Sequence, residues 1–151
     1  MVLRIRHGLE RFFQILDSEG VGLFQAIVYI HLAVGGFYCA AIAGGVPQVV
    51  EEAMGPAINV VWLWMCMGVL LCLAGKLMKG PLAYIGLVLQ VAGDAFALGG
   101  FGSYVLATMQ TEYWGKTLIA VWVFAALADC ALLLVIRDVR RIAQVEQRVR
   151  R

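Results

Sequence analysis

Charge is what this chain has least of: Asp, Glu, Lys and Arg make up 15% of its 151 residues, against roughly a quarter in an average soluble domain. With 62% hydrophobic residues and a mean hydropathy of +0.85, that scarcity excludes an ordinary soluble globule, because a core of this size cannot bury so much apolar surface. A net charge of +2 is too small to point to a nucleic-acid partner. Catalytic signatures are missing as well. No GxSxG, HExxH, Walker or kinase-type pattern occurs, and few polar residues lie outside the apolar runs to build a water-exposed active site. The sequence reads as a non-enzyme.

Ligands for a cofactor are equally few. Of the two histidines only His31 lies within an apolar run, His7 falling outside it, so bis-histidine haem ligation within one chain is excluded and no cofactor is expected. The four cysteines, Cys39, Cys66, Cys72 and Cys130, have neither CxxC spacing nor loop placement and read as small packing residues. Met65, Cys66 and Met67 point in different directions around a helix and cannot all face one copper ion, so no metal is expected. The glycine run 99–102 follows no strand, and a phosphate-loop reading fails for that reason. Internal repeats, low-complexity segments and soluble linkers are absent from the sequence.

What the chain has instead is four apolar runs, at residues 21–45, 57–75, 82–106 and 117–136. A helix rises ~1.5 Å per residue, so about 20 residues cross the ~30 Å hydrocarbon core of a bilayer. Unpaired backbone groups are costly in lipid, and continuous runs without period-2 alternation select helices over a barrel. The expected fold class is all-α: a polytopic four-transmembrane-helix bundle forming one domain at 21–136. Residues 41–43 (Ala-Ile-Ala) resemble a signal-peptide cleavage site, but the first run is longer than a signal core and follows twenty residues that include Glu10, Asp17 and Glu19, so it reads as a retained span.

The flanks have their own pattern. Ile5, Leu9, Phe12, Phe13 and Leu16 recur at helical spacing, with Arg4, His7, Arg11 and Gln14 on another face, which predicts an amphipathic interfacial helix over 1–20. Asp17-Ser18-Glu19-Gly20 interrupts it, and Ser18 can cap the first span. Residues 137–151 read as a basic helical extension of the fourth. Gly80-Pro81 marks a tight hairpin between the second and third spans, and the segment 46–56 has room for one helical turn. Trp62, Trp64, Tyr104, Tyr113 and Trp114 gather toward one end and Tyr84 toward the other, as an aromatic belt requires.

Eleven of the twelve basic residues fall on one side: Arg4, Arg6, Arg11, Lys76, Lys79, Arg137, Arg140, Arg141, Arg148, Arg150 and Arg151, with Lys116 alone opposite. The positive-inside rule therefore predicts both termini in the cytoplasm. The six tail arginines are also placed to anchor the chain to anionic headgroups, each worth roughly 1 kcal/mol near the surface. The alternative is that they only fix topology.

Polar residues inside the runs are the candidates for function. Counted inward from the basic ends, His31, Gln90, Asp94 and Asp129 fall within one thin layer, with Gln25 nearby. An aspartate near the bilayer centre costs roughly 2.5–3.5 kcal/mol, so it pairs, becomes neutral or lines a watery cavity. Three roles are open for this layer: structural glue between helices, a polar seam that wets when helices or subunits rearrange, and a proton relay or ligand site. Small residues at four-residue spacing, Gly36, Ala40 and Gly44 in the first run and Ala95 and Gly99 in the third, allow close helix approach. Ala125, Ala126, Ala128 and Ala131 do the same in the fourth. These faces suit packing within the chain, a homo-oligomer, or contact with another membrane protein.

The four spans, the N-in/C-in arrangement, the opening DSEGVGLFQAIVYIHLAVGGFYC at 17–39 and the short arginine-rich tail resemble the small four-span membrane proteins of phages that infect mycobacteria and related actinobacteria. Some of these are regarded as holins. The resemblance implies a protein of the host cytoplasmic membrane that oligomerises laterally and permeabilises the membrane during lysis. Two other functions fit the same residues: a membrane-resident regulatory, superinfection-exclusion or partner-binding protein, and a small proton-coupled transporter or transporter subunit using Asp94 and Asp129.

Overall fold

The computed structural model describes residues 10, 12–15, 17–46, 48–110 and 118–150. The expectations placed on Arg4, Ile5, Arg6, His7, Leu9, Arg11, Leu16, Tyr113, Trp114, Lys116 and Arg151 lie outside the described residues. The described elements are α1 (Glu19–Ala41), α2 (Gln48–Met54), α3 (Ile58–Leu77), a 3₁₀ turn (Gly80–Leu82), α4 (Ala83–Met109) and α5 (Leu118–Val149). The fold is all-α. Four of the helices, α1, α3, α4 and α5, are long and apolar enough to cross a bilayer, which makes the chain a multi-pass membrane protein.

Helix boundaries follow local chemistry. Ser18 occupies the N-cap of α1 with extended backbone, but its hydroxyl makes no capping bond. α1 stops at Ala41, four residues short of the end of its apolar run, because Gly44 takes a positive φ of 79° that turns the chain. The following segment forms two turns, α2, rather than one. α5 runs unbroken for 32 residues, joining the fourth span and the basic extension in one rod, with no Gly or Pro between 118 and 150 to interrupt it.

The α3–α4 hairpin is packed through glycine. A Cβ on Gly86 would lie 2.6 Å from the carbonyl oxygen of Gly75, and one on Gly93 would lie 2.6 Å from the backbone nitrogen of Cys72. Gly68 receives the ring of Phe96 in the same way. α1 joins α3 where Gly36 lies against Cys66. Thus α1 packs on α3, α3 on α4 and α4 on α5, while α1 and α5 flank an apolar groove of about 270 Å³ whose wall includes Phe24, Phe101, Leu127 and Leu134. At the end away from the tail, α2 buries Val50 completely beside Trp62 and Ala107. Asn59 ties this cap down: its Oδ1 accepts the Val46 N–H at 2.8 Å.

The outer faces of the long helices carry exposed Leu23, Ile27, Val34, Trp64, Trp122 and Ile136. In water such surfaces would associate; in a bilayer they meet acyl chains.

Candidate functional site

Asp94 lies in the middle of α4 and is fully buried. Two donors one turn apart on α1 converge on its Oδ1: Gln25 Nε2 at 2.5 Å and Tyr29 Oη at 2.6 Å. Gln25 Nε2 also lies 3.2 Å from Cys72 Sγ on α3. Residues i and i+4 share one helix face, so Gln25 and Tyr29 reach Asp94 as a unit, and three helices are joined in one polar knot. The knot is incomplete. Asp94 Oδ2 and Gln25 Oε1 are buried and have no hydrogen-bond partner. Each is an acceptor that a proton on the carboxyl or a buried water would satisfy.

One turn from Asp94 toward the basic end, Gln90 donates to its own helix at Gly86 O, 3.3 Å away. It also lines a polar cavity of about 260 Å³ with Asp17, Glu19, Lys76, Arg137 and Arg141. Lys76 Nζ donates to Gly22 O at 3.0 Å, linking α3 to α1. Arg137 grips its neighbour Asp138 through two bonds, Nε to Oδ1 at 2.6 Å and Nη2 to Oδ2 at 2.9 Å. Both residues are buried, at 4% and 0% exposure. Arg141 reaches Asp17 at 2.6 Å, and Arg140 stacks over the Phe13 ring at 4.0 Å. The polar groups at the basic rim thus come as near to the bundle centre as Gln90, one turn from Asp94.

The tail arginines therefore divide. Arg137, expected at the lipid surface, is instead enclosed in the bundle by its pair with Asp138, because α5 continues as a packed helix through that position. Arg140 and Arg141 hold the segment before α1, while Arg148 and Arg150 are exposed.

The remaining layer residues stand elsewhere. His31 is on the outer face of α1, its Nδ1 bonded to Ile27 O at 2.9 Å. Asp129 is on the outer face of α5. Neither reaches Asp94. Of the small residues, Gly36 is buried against Cys66, Ala40 and Ala95 are exposed, Gly99 sits 3.2 Å (as a built Cβ) from Met65 Sδ, and Gly44 lies beyond the end of α1. Tyr29 escaped the sequence reading. Its position four residues after Gln25 was the available signal. The packing glycines Gly68 and Gly75, and Gly86, Gly93 and Gly100, escaped it too, although each set repeats every seven residues.

Comparisons with protein-family models, with curated proteins and with solved structures give no match for this chain.

Proposed function

We propose that this protein works by lateral assembly in a bilayer rather than by catalysis. The observation that carries the proposal is the placement of Asp129 and His31: two mid-span polar side chains face outward, where a lone bundle would give them only hydrocarbon. An exposed aspartate at that depth costs roughly 2.5–3.5 kcal/mol, and covering it with another helix or with water removes that cost.

Within that class, the reading is a holin-like permeabiliser of the bacterial cytoplasmic membrane with both termini in the cytoplasm, as the basic residues and the phage-type architecture suggest. Such a protein needs spans that insert readily, small-residue faces for assembly, and enough polarity to wet a lesion. Induction in a bacterial host is expected to collapse membrane potential and viability. Unchanged potential would end this reading, and protection from phage infection without such collapse would replace it with the exclusion role.

A second reading is favoured by a separate observation, the buried Oδ2 of Asp94, which has no hydrogen-bond partner, with Gln90, one turn nearer the basic end, lining a polar cavity there. It is a proton-coupled transporter or transporter subunit with Asp94 as the proton site. Asp94→Asn would then abolish pH-dependent flux while the chain still assembles; retained flux would exclude it.

A further inference from the structure

The outward polar residues share more than exposure. The Asp17–Arg141 ion pair sets the start of α1 level with residue 141 of α5. His31 lies twelve residues on from Glu19, where α1 begins, and Asp129 twelve residues back from Arg141, so at ~1.5 Å per residue the two stand at similar depth. Packing gives the same answer independently: Tyr29 and Ala33, which bracket His31, belong to one cluster with Leu127 and Ala131, which bracket Asp129.

The match continues along both helices. α1 and α5 run in opposite directions, so one turn beyond His31 is level with one turn before Asp129. At that level α1 presents Gly35, with nothing within 4 Å of a Cβ built on it, and α5 presents Ala126, also exposed. Two turns out, Tyr38 on α1 is 53% exposed and Trp122 on α5 is 66% exposed. Toward the basic end the faces carry Phe24 and Ile136, both exposed and apolar.

We infer that the outer face of α1 in one copy docks on the outer face of α5 in the next, with His31 of the first hydrogen-bonded to Asp129 of the second. His31 is prepared for this contact. Its Nδ1 is engaged by Ile27 O, which leaves Nε2 to meet a carboxyl, as acceptor from the acid or as donor to the carboxylate. Asp129 has no bond or ion pair with any described residue. The Gly35 and Ala126 level allows the two backbones to approach, which is how helices associate where lipid is as apolar as they are. A two-fold arrangement serves this contact only where α1 of each copy meets α5 of the other; one that sets His31 against His31 or Asp129 against Asp129 loses the complementarity. The contact therefore pairs unlike helices, α1 with α5, and is made twice in a closed two-fold dimer or once per copy in a ring or open array. This rests on the assembly reading above but not on permeabilisation.

The test uses full-length protein in membranes. One tagged form carries Gly35→Cys and a second, differently tagged, carries Ala126→Cys; both sites are open, so the fold tolerates them. On copper-phenanthroline oxidation of co-expressed forms, a mixed-tag covalent dimer is expected, above the background that native Cys39 and Cys130 give in cells co-expressing the two tags without the introduced cysteines. Adding His31→Asp to the first form, or Asp129→His to the second, is expected to cut the mixed adduct about three- to fifteenfold, the range of one interhelical hydrogen bond. Moving both exchanges onto every chain, so that each interface again has one imidazole and one carboxyl, is expected to restore it. Absence of the mixed adduct, an equal yield of like-with-like adducts, or no response to the exchanges would overturn the interface. Membrane potential is recorded in the same cells: adducts without its loss keep the interface and remove permeabilisation, whereas loss without adducts removes the interface and keeps permeabilisation.

Discussion

Gly75 and Gly86 bring the backbones of α3 and α4 into direct contact, so that a Cβ on Gly86 would fall 2.6 Å from the Gly75 carbonyl oxygen. A backbone atom cannot rotate away as a side-chain tip can. Gly86→Ala is therefore expected to open the hairpin and destabilise the bundle by about 1–3 kcal/mol, the usual cost of overpacking. Gly35→Ala, at a position with open space around it, is expected to leave stability unchanged. Thermal unfolding of both variants in detergent micelles checks the contrast; equal behaviour would show that the hairpin does not depend on this approach.

Tyr29 and Gln25 share one acceptor, Asp94 Oδ1, and so their deletions are coupled. Tyr29→Phe removes one donor and Asp94→Asn replaces the carboxylate that both address. Interhelical hydrogen bonds within membranes are worth about 0.6 kcal/mol on average and up to about 1.7. A double-mutant cycle over Tyr29→Phe and Asp94→Asn is expected to give a coupling near the top of that range, because the bond is short and fully enclosed. A coupling of zero in reversible unfolding would mean that the two side chains do not act together.

How much of this was legible beforehand differs by feature. The four spans follow from the length of the apolar runs, since hydrocarbon imposes helices on any chain that crosses it. The inward faces do not follow, because lipid accepts the same residues as the bundle interior, and so the outer Leu23 and Val34 resemble the buried Ala33 and Val69 in composition. For the same reason Asp94 and Asp129 look alike in sequence, each one acid in an apolar run. Only packing separates the enclosed one from the exposed one. Gly36 and Ala40 divide in the same way. The enclosure of Arg137 had a readable cue in the adjacent Asp138, since a pair that neutralises itself can enter a bundle where a lone guanidinium would not.

That pair gives a third expectation. Asp138→Asn withdraws the bidentate partner of a buried guanidinium and is expected to cost about 3–5 kcal/mol, as breaking enclosed ion pairs does. Arg141→Gln removes a half-exposed contact to Asp17 and a long, 3.5 Å contact to Asp138, which keeps its bidentate bond to Arg137, and is expected to cost less than about 1 kcal/mol. Replacing both members of the buried pair, Arg137→Met with Asp138→Leu, should recover most of the loss. Denaturation midpoints of the three proteins decide it, and a loss for Arg141→Gln equal to that for Asp138→Asn would contradict the enclosed placement.

Asp129→Leu separates insertion from action. The substitution places an apolar side chain where α5 meets lipid, so it removes the insertion cost of the acid and touches no bond within the bundle. The lone chain is therefore expected to insert at least as well as before and to unfold at the same temperature. If assembly serves the outward acid, the same variant should remain monomeric in membranes when subunits are counted by stepwise photobleaching, and on induction should leave membrane potential intact for longer than the parent chain does. Asp129→Asn, which keeps a polar group able to bond to an imidazole, should fall between the two. Wild-type assembly and wild-type loss of potential in Asp129→Leu would show that the acid facing the bilayer has no part in either.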